Sequence, residues 1–351
     1  MTSKKYIKII IFTSFTFVLF HIVVWFFLTS KVFVTSNGET IGDLARLSYR
    51  QEILLPKGDD RNLIKKHFDY STQKPVDIIT IGDSFSQGKG EGENKYYQDF
   101  IASNQNLNVL NIRPLPQGLF ETVLILKNSG LLAILKPKAI IIESVERGAI
   151  KRFSKDMDWN ETLSVGKVEK LVLKDIDKHK KHTPNELSFI NKLNYNSVIY
   201  NLLYNFDDNA YFSKVHITSL NESFFTGNCP DCLYFLSSDI KNIRLSNKEA
   251  ITKLNQNFNQ LQNILLPDEI DLYFMPAVDK YNLYSKYISN NTYAGSEFFE
   301  LLRKEKKIYK FIDTKKSLRI LTDNKIKNVY HPDDTHWSSI ASKHIFEEMR
   351  F

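Results

Sequence analysis

The chain has 351 residues, 42% of them hydrophobic, so it is long enough for one large globular domain or two small ones. Its 47 basic and 40 acidic residues leave a formal net charge of +7, which is a mild excess for this length. Lysine-rich stretches such as residues 178–181 are typical of solvated loops. The composition therefore argues against a nucleic-acid partner.

The first element is an almost uninterrupted apolar run from Ile9 to Leu28. As a helix it would be about 30 Å long, which matches the hydrocarbon core of a bilayer. Lys4, Lys5 and Lys8 precede it and predict a cytoplasmic N-terminus. A cleaved signal peptide is the alternative, but the run is long for one and no small-x-small cleavage pattern follows it. We therefore predict that residues 1–30 are an uncleaved single-pass anchor in the cell membrane, with the body in the periplasm or outside the cell.

The remainder divides into a connector, an α/β domain and an insertion within that domain. Residues 31–75 are polar and predict a connector with short helices. Predicted strands lie at 77–81, 107–112, 139–143, 271–275 and 308–312. Predicted helices lie at 94–103, 120–130, 247–265, 284–288, 297–304 and 338–349. Short, continuously apolar strands separated by helices predict an α/β domain over 76–351 with a mainly parallel sheet.

The alternation of strands and helices stops between about residues 150 and 245. This stretch is rich in Lys, Asn, Asp and Tyr, and it is too long to be a loop. We predict an insertion with helices of its own, one of them near residues 187–206.

The only two cysteines, Cys229 and Cys232, lie in this insertion. Two thiols cannot supply the four ligands of a structural zinc site. In an oxidising compartment they predict a local disulfide. A redox-active pair is the alternative, but the strand-to-helix context of thioredoxin-like motifs is missing.

Ser84 follows an apolar strand and begins a turn that contains Gly88. The carboxyl end of a parallel strand faces the crevice in which open α/β sheets bind ligands. The helix after the turn would point its N-terminal N–H groups at the same place, where they could stabilise an oxyanion. Ser84 is therefore a candidate nucleophile. A helix-capping role in an ordinary turn is the alternative.

A second segment near the C-terminus carries two carboxylates and a histidine, at Asp333, Asp334 and His336. His336 could take the proton of Ser84, and a carboxylate from the same loop could orient the ring through its other nitrogen. Trp337 could shield the pair from water. The α/β-hydrolase elbow, Gly-x-Ser-x-Gly, does not fit because Ser86 stands at its last position. A phosphate-binding Gly-Lys-Ser/Thr loop is absent from the sequence.

With these motifs the chain resembles the SGNH/GDSL hydrolase superfamily. It looks most like the membrane-anchored branch that is related to alginate and other polysaccharide O-acetyltransferases. The resemblance covers about residues 76–150 and 268–351. It is carried by Gly82-Asp83-Ser84-Phe85-Ser86, Asp334-Thr335-His336-Trp337, Pro276-x-x-Asp279-Lys280 with Tyr284, and the stretch from Glu143 to Arg147.

The resemblance implies a three-layer α/β/α sandwich of flavodoxin-like type and a triad of Ser84, His336 and one aspartate. The common Asp-x-x-His spacing selects Asp333, whereas the Asp-x-His-Trp variant selects Asp334, which we prefer.

The superfamily also takes oxyanion donors from a Gly and an Asn on the second and third βα loops. Gly118 fits the first position. The third loop lacks Asn, and Arg147 could replace it as a cationic donor. An ordinary ion pair between Arg147 and Glu146 or Glu143 is the alternative.

The function implied by the resemblance is extracytoplasmic O-acetylation of a cell-envelope or secreted polysaccharide. The partners would be a glycan acceptor and a membrane protein that supplies acyl groups. No metal or organic cofactor is implied. Two alternatives stay open: an esterase or deacetylase with the same triad, and a non-catalytic glycan-binding or assembly protein.

Overall fold

The computed structural model describes residues 3–33, 41–50, 62–70, 75–90, 92, 94–180, 188–347 and 349–351. Parts of the predicted connector, at 34–40, 51–61 and 71–74, lie outside the described residues. So do residue 187 of the predicted insertion helix and the side chains of the lysine-rich stretch at 178–181.

The N-terminal apolar run forms one helix. It starts as α1 (Ser3–Val24), passes through a π-helical turn (Trp25–Thr29) and ends as α2 (Ser30–Phe33). The 31 residues of Ser3–Phe33 are long and apolar enough to cross a membrane. Most of their apolar side chains are exposed, as a lipid-facing helix requires. The predicted apolar N-terminal helix is confirmed.

Six parallel strands form the central sheet, and a separate antiparallel pair lies in the insertion. In chain order, the strands of the described residues are β1 (Phe68–Asp69), β2 (Ile78–Ile81), β3 (Val109–Ile112), β4 (Ala139–Val145), β5 (Val215–Ser219), β6 (Cys232–Leu236), β7 (Asp271–Ala277) and β8 (Lys310–Phe311). The order in the large sheet is β1-β3-β2-β4-β7-β8, and every adjacent pair is parallel. Without the short β1 this is the doubly wound order 2-1-3-4-5 that is called flavodoxin-like.

The other α-helices of the described residues lie before, between and after these strands. They are α3 (Asp43–Ser48), α4 (Tyr97–Gln105), α5 (Leu119–Asn128), α6 (Leu131–Leu135), α7 (Glu146–Phe153), α8 (Val165–Lys180), α9 (Leu193–Leu203), α10 (Ser237–Lys241), α11 (Lys248–Leu265), α12 (Lys280–Tyr284), α13 (Phe298–Lys304), α14 (Thr314–Asp323) and α15 (Ser339–Phe346). The amphipathic stripe predicted at 247–265 is α11, whose N-cap Asn247 accepts from the Ala250 N–H.

Both faces of the sheet are covered. Consecutive residues of a strand point to opposite faces. On β7 the ring of Phe274 contacts Phe258 of α11 and Phe153 of α7, whereas the adjacent Tyr273 contacts Phe351 at the C-terminus. The buried core therefore lies on both sides of the sheet, and the predicted α/β class with a parallel sheet is confirmed.

Several elements differ from the sequence-based prediction. The antiparallel ribbon β5–β6 in the insertion, the helix α14 and the connector strand β1 were not predicted. The insertion helix is shorter than predicted and covers Leu193–Leu203. Each strand of the ribbon has a mixed burial pattern without clean alternation, which explains why its periodicity was not recognised.

Candidate active site

Ser84 lies just beyond the carboxyl end of β2, in a tight turn over residues 82–88, and is partly exposed. The turn passes unusually close to β4 at Gly82. A Cβ atom there would lie 2.0 Å from Ser86 Oγ and 2.3 Å from Glu143 Oε2. Only glycine allows this approach, so Gly82 sets the position of Ser84, the candidate nucleophile, relative to the neighbouring strand.

Glu143 of β4 holds the turn from inside the protein. Its Oε2 accepts hydrogen bonds from the N–H of Asp83 at 2.9 Å, the N–H of Ser86 at 3.3 Å and the hydroxyl of Ser86 at 2.9 Å. The side chain is fully buried. Burial, together with the neighbouring Asp83 carboxylate, holds the pKa of Glu143 well above its usual range.

Asp83 ties the same turn to the start of α7. Its Oδ2 accepts from the N–H of Val145 at 2.9 Å and from the guanidinium of Arg152 at 2.5 Å. Burial acts against the charge of Asp83, but Arg152 and the Val145 N–H outweigh it and lower the pKa of Asp83. The ionised carboxylate is thus a structural tie between the turn and the next βα unit.

The second half of the site is a loop that is closed at its base by a β-bridge between Tyr330 and Trp337. Within it, His336 Nδ1 lies 2.5 Å from Asp334 Oδ1, and His336 Nε2 lies 2.7 Å from Ser84 Oγ. The same Asp334 oxygen accepts from the His336 N–H at 2.9 Å. Two segments 252 residues apart in sequence therefore form one serine–histidine–aspartate chain of hydrogen bonds.

The surroundings of His336 favour its charged form. Burial of the ring opposes the charge, but Asp334, Asp43 and Asp83 outweigh it and raise the pKa of His336 above its usual value. An imidazolium that forms when the ring accepts a proton from Ser84 would be stabilised by these carboxylates.

Buried Lys280 fixes the loop of residues 331–336, which we call the acid–base loop. Its ammonium donates to the carbonyl oxygens of His331 at 2.7 Å, Pro332 at 2.8 Å and Asp334 at 3.2 Å. Burial lowers the pKa of Lys280 to about 7, although the nearby Asp333, Asp334 and Asp43 act in the opposite direction. The sequence indicated Lys280 only as part of the family resemblance, without a role.

Asp333 lies next to Asp334 in sequence but bonds to the start of α3. Its carboxylate Oδ2 accepts from the Gly42 N–H at 2.8 Å, and its carbonyl accepts from the Ala45 N–H at 3.1 Å. A Cβ on Gly42 would lie 2.0 Å from the Asp333 carbonyl oxygen. Asp333 therefore anchors the loop to the start of α3, and Asp334 is the carboxylate in contact with the histidine.

Asp43, the first residue of α3, was missed by the sequence reasoning. Its two oxygens accept from the Thr335 N–H at 2.8 Å and the Thr335 hydroxyl at 2.7 Å. Its own N–H donates to Asp334 Oδ2 at 3.3 Å. Burial and the adjacent Asp334 raise the pKa of Asp43. No local pattern could reveal it, because the contact joins residues 292 positions apart.

Aromatic rings cover one side of the triad. The ring of Phe85, next to the nucleophile, lies 4.7 Å from the His336 ring and 4.5 Å from the Trp337 ring, centroid to centroid. Trp337 is buried. The Phe85 ring therefore covers one face of the histidine, and Trp337, for which a shielding role was predicted, packs against Phe85.

The two predicted oxyanion donors are engaged elsewhere. The Gly118 N–H donates to the Leu115 carbonyl at 3.0 Å. The guanidinium of Arg147 lies 2.6 Å from Asp279 and 3.5 Å from Asp239, in place of the Glu146 or Glu143 partners considered from the sequence. By contrast, the Ser84 N–H has no acceptor within the described part of the chain. An oxyanion role for Gly118 or Arg147 stays a prediction.

Within the described residues, two groups of side chains have the composition of metal ligands. Asp43, Asp334 and His336 bring one ligand atom each within 4.8 Å of one another. These atoms are already bonded to Thr335, to each other and to Ser84, so the group fits a hydrogen-bonded triad better than a metal site. The other group contains Cys229 and Cys232, which the structure joins in a disulfide.

Comparison with known protein families, curated proteins and solved structures gave no match. The function proposed below therefore depends on the geometry of the site and on the motifs in the sequence.

Proposed function

We propose that the chain is a membrane-anchored serine acyltransferase of the SGNH type that acetylates hydroxyl groups of a cell-envelope or secreted polysaccharide outside the cytoplasm. The observation that carries the proposal is the continuous Ser84–His336–Asp334 hydrogen-bond chain at the carboxyl edge of a parallel sheet. The choice of a glycan acceptor and an acyl-supplying membrane partner comes from the resemblance to the O-acetyltransferase branch. The three-layer sandwich of that superfamily is compatible with the doubly wound strand order.

The mechanism uses the triad in two half-reactions. Ser84 Oγ attacks the acyl carbonyl while its proton passes to His336 Nε2, and the Ser84 N–H donates to the oxyanion. The tetrahedral intermediate collapses to acyl-Ser84, and the leaving group takes the proton from His336. A sugar hydroxyl then gives its proton to His336 and attacks the acyl-serine. Collapse of this second intermediate returns the proton to Ser84 and releases the esterified sugar. Asp334 keeps the ring oriented throughout.

The experiment uses the full chain reconstituted in nanodiscs with an aryl acetate as the acyl donor. Release of the aryl alcohol is followed with and without an oligosaccharide acceptor, and the sugar product is analysed by mass spectrometry. We expect an acetylated oligosaccharide and an acyl adduct on Ser84 after rapid quenching. A folded protein that gives neither adduct nor turnover would refute the acyl-transfer mechanism.

Hydrolysis is the second candidate function, because partly exposed Ser84 can also be reached by water. An esterase or deacetylase would release free acetate at the same rate whether or not the oligosaccharide is present. The ratio of acetylated sugar to acetate therefore distinguishes a transferase from a hydrolase.

A further inference from the structure

Helix α9 (Leu193–Leu203) in the insertion has its polar and apolar sides reversed relative to a water-soluble surface helix. Its polar side chains point inward: Asn194 and Ser197 are buried, and Asn201 donates to the Tyr49 carbonyl at 2.8 Å. Its apolar side chains point outward, and Leu202 is 58% exposed. Residues 193–206 contain no charged side chain. A helix that faces water normally shows the opposite arrangement.

The inward side of α9 packs directly on the second half of the apolar N-terminal helix, between Phe20 and Thr29. Asn194 Nδ2 lies 2.7 Å from His21 Nδ1, and the Thr29 hydroxyl donates to Ser197 Oγ at 3.0 Å. The ring of Tyr195 stacks on Phe20 at 5.0 Å. Hydrogen bonds between helices, with apolar side chains turned outward, are typical of helices that pack within a membrane.

The outward side forms a continuous apolar surface, which we call the α9 face. It consists of Ile190, Val198, Ile199, Leu202 and Phe206, all of them exposed. Phe206 is 70% exposed. Contiguous exposed apolar surface of this kind marks a contact with a membrane or another molecule.

We propose that the α9 face lies in the acyl-chain region of the same leaflet that surrounds the second half of the N-terminal helix. The surface is continuous with a helix whose length and composition fit a membrane span. Helix α9 has 11 residues and is about 16 Å long, which is half the thickness of a hydrocarbon core. It therefore occupies one leaflet and does not cross the bilayer. Lys192 and Asp207 bound the stretch of residues 193–206, so no charged side chain lies within it.

This contact would fix the orientation of the domain on the membrane. Asn196 donates to the Tyr49 hydroxyl at 2.8 Å, and Tyr49 directly follows α3. The start of α3 in turn bonds to the acid–base loop through Asp43. The contacts of α9 with Tyr49 and of Asp43 with Thr335 therefore link the triad to α9. Lipid contact by α9 would then hold the triad at a constant distance from the bilayer surface. The proposal depends on the membrane span and is independent of the acyl-transfer chemistry.

The test measures whether lipid reaches the α9 face. Leu202→Trp and Phe206→Trp are made separately in the full chain and reconstituted in phosphatidylcholine nanodiscs with or without bromine on the acyl chains. The matched control is Ile134→Trp, because Ile134 is 59% exposed on α6, which leads into the amino end of β4, at the opposite edge from Ser84. The unsubstituted chain supplies the background from Trp25, Trp159 and Trp337.

We expect brominated lipid to remove emission from Trp at 202 and at 206, and to leave emission from Trp at 134 unchanged. Both test positions are exposed, so neither substitution disturbs the core. Because two positions are tested, the result does not depend on the folding of a single variant. Emission at 202 and 206 that is as insensitive to bromine as at 134 would overturn the proposal and would leave the α9 face for a protein partner.

Discussion

The two halves of the site are held in different ways. The nucleophile turn, residues 82–88, is fixed by Glu143 of β4 and Arg152 of α7. The acid–base loop, residues 331–336, is fixed by Lys280 and by the first residues of α3, which lie about 290 positions earlier and close to the apolar N-terminal helix. The first half is thus held by the sheet and the helix that follows β4, whereas the second depends on a segment outside them.

The insertion supports helix α3, the segment that holds the acid–base loop. Helix α3 packs on the ribbon β5–β6, where Leu44 forms a small buried cluster with Val215 and Tyr234. Partly buried Cys232 lies against this cluster. Helix α3 therefore connects the apolar N-terminal helix, the insertion and the acid–base loop. Disturbing the nucleophile turn should reduce both stability and turnover, whereas disturbing α3 should reduce turnover more than stability.

The largest expected effect tests whether the two halves act as one unit. Ser84→Ala and His336→Ala should each lower turnover of an aryl acetate by about 10⁴-fold, and the double variant should lose little more, because a triad is non-additive. The measurement is kcat for each variant after its fold is checked by circular dichroism. Ser86→Ala is the matched control, because Ser86 bonds to Glu143 and not to His336. Near-native turnover in folded Ser84→Ala would exclude the mechanism.

The next effect concerns the two aspartates of the acid–base loop. Asp334→Ala removes the carboxylate in contact with the His336 ring, so kcat should fall by about 10²- to 10⁴-fold. Asp333→Ala removes a bond to the Gly42 N–H and should cost less. If Asp333→Ala proved more damaging in steady-state assays, the Asp-x-x-His register would be the functional one.

A matched pair of glycine substitutions compares the nucleophile turn, at Gly82, with the contact between α3 and the acid–base loop, at Gly42. Gly82→Ala forces a Cβ against buried Glu143 and should lower the free energy of unfolding by about 1–3 kcal/mol. Gly42→Ala forces a Cβ against the Asp333 backbone and should shift the acid–base loop, which should lower kcat by about 10²-fold. Chemical denaturation and kcat are measured for both variants. Equal losses of stability and turnover in the two would remove the distinction between the halves.

Short sequence motifs were sufficient to identify the residues of the Ser84–His336–Asp334 chain. Ser84 follows a buried strand, and Asp334 and His336 share one loop, so each half could be recognised from a few consecutive residues. The strands β2, β4 and β7 were predicted because each is a continuous apolar run. Lys280 and Asp43 could not be assigned roles, because their contacts span 51 to 292 residues and exist only after the chain is packed.

Removing the disulfide tests how much this part of the insertion contributes to stability and to turnover. Replacing Cys229 and Cys232 together with Ser should lower the free energy of unfolding by about 2 kcal/mol, the chain-entropy effect of closing a very short loop. Turnover by the folded fraction should not change, since neither sulfur contacts the triad. Thermal unfolding and kcat are compared under non-reducing conditions. A loss of turnover without a loss of stability would mean that the pair takes part in the chemistry.

The smallest expected effect is a change in the pH profile caused by Asp43. His336 must be neutral to accept the Ser84 proton, so turnover falls as the pH drops through the pKa of His336, which its carboxylate neighbours raise. Asp43→Asn removes one of these charges and retains an oxygen that can accept from the Thr335 N–H. The pKa of His336 should therefore decrease, and the acidic limb of the kcat/KM profile should move to lower pH. Asp156→Asn, at a fully exposed carboxylate, is the control and should leave the limb in place. The sign is decisive: a purely structural role for Asp43 would lower turnover at every pH without moving the limb, and a movement to higher pH would contradict the electrostatic role assigned to α3.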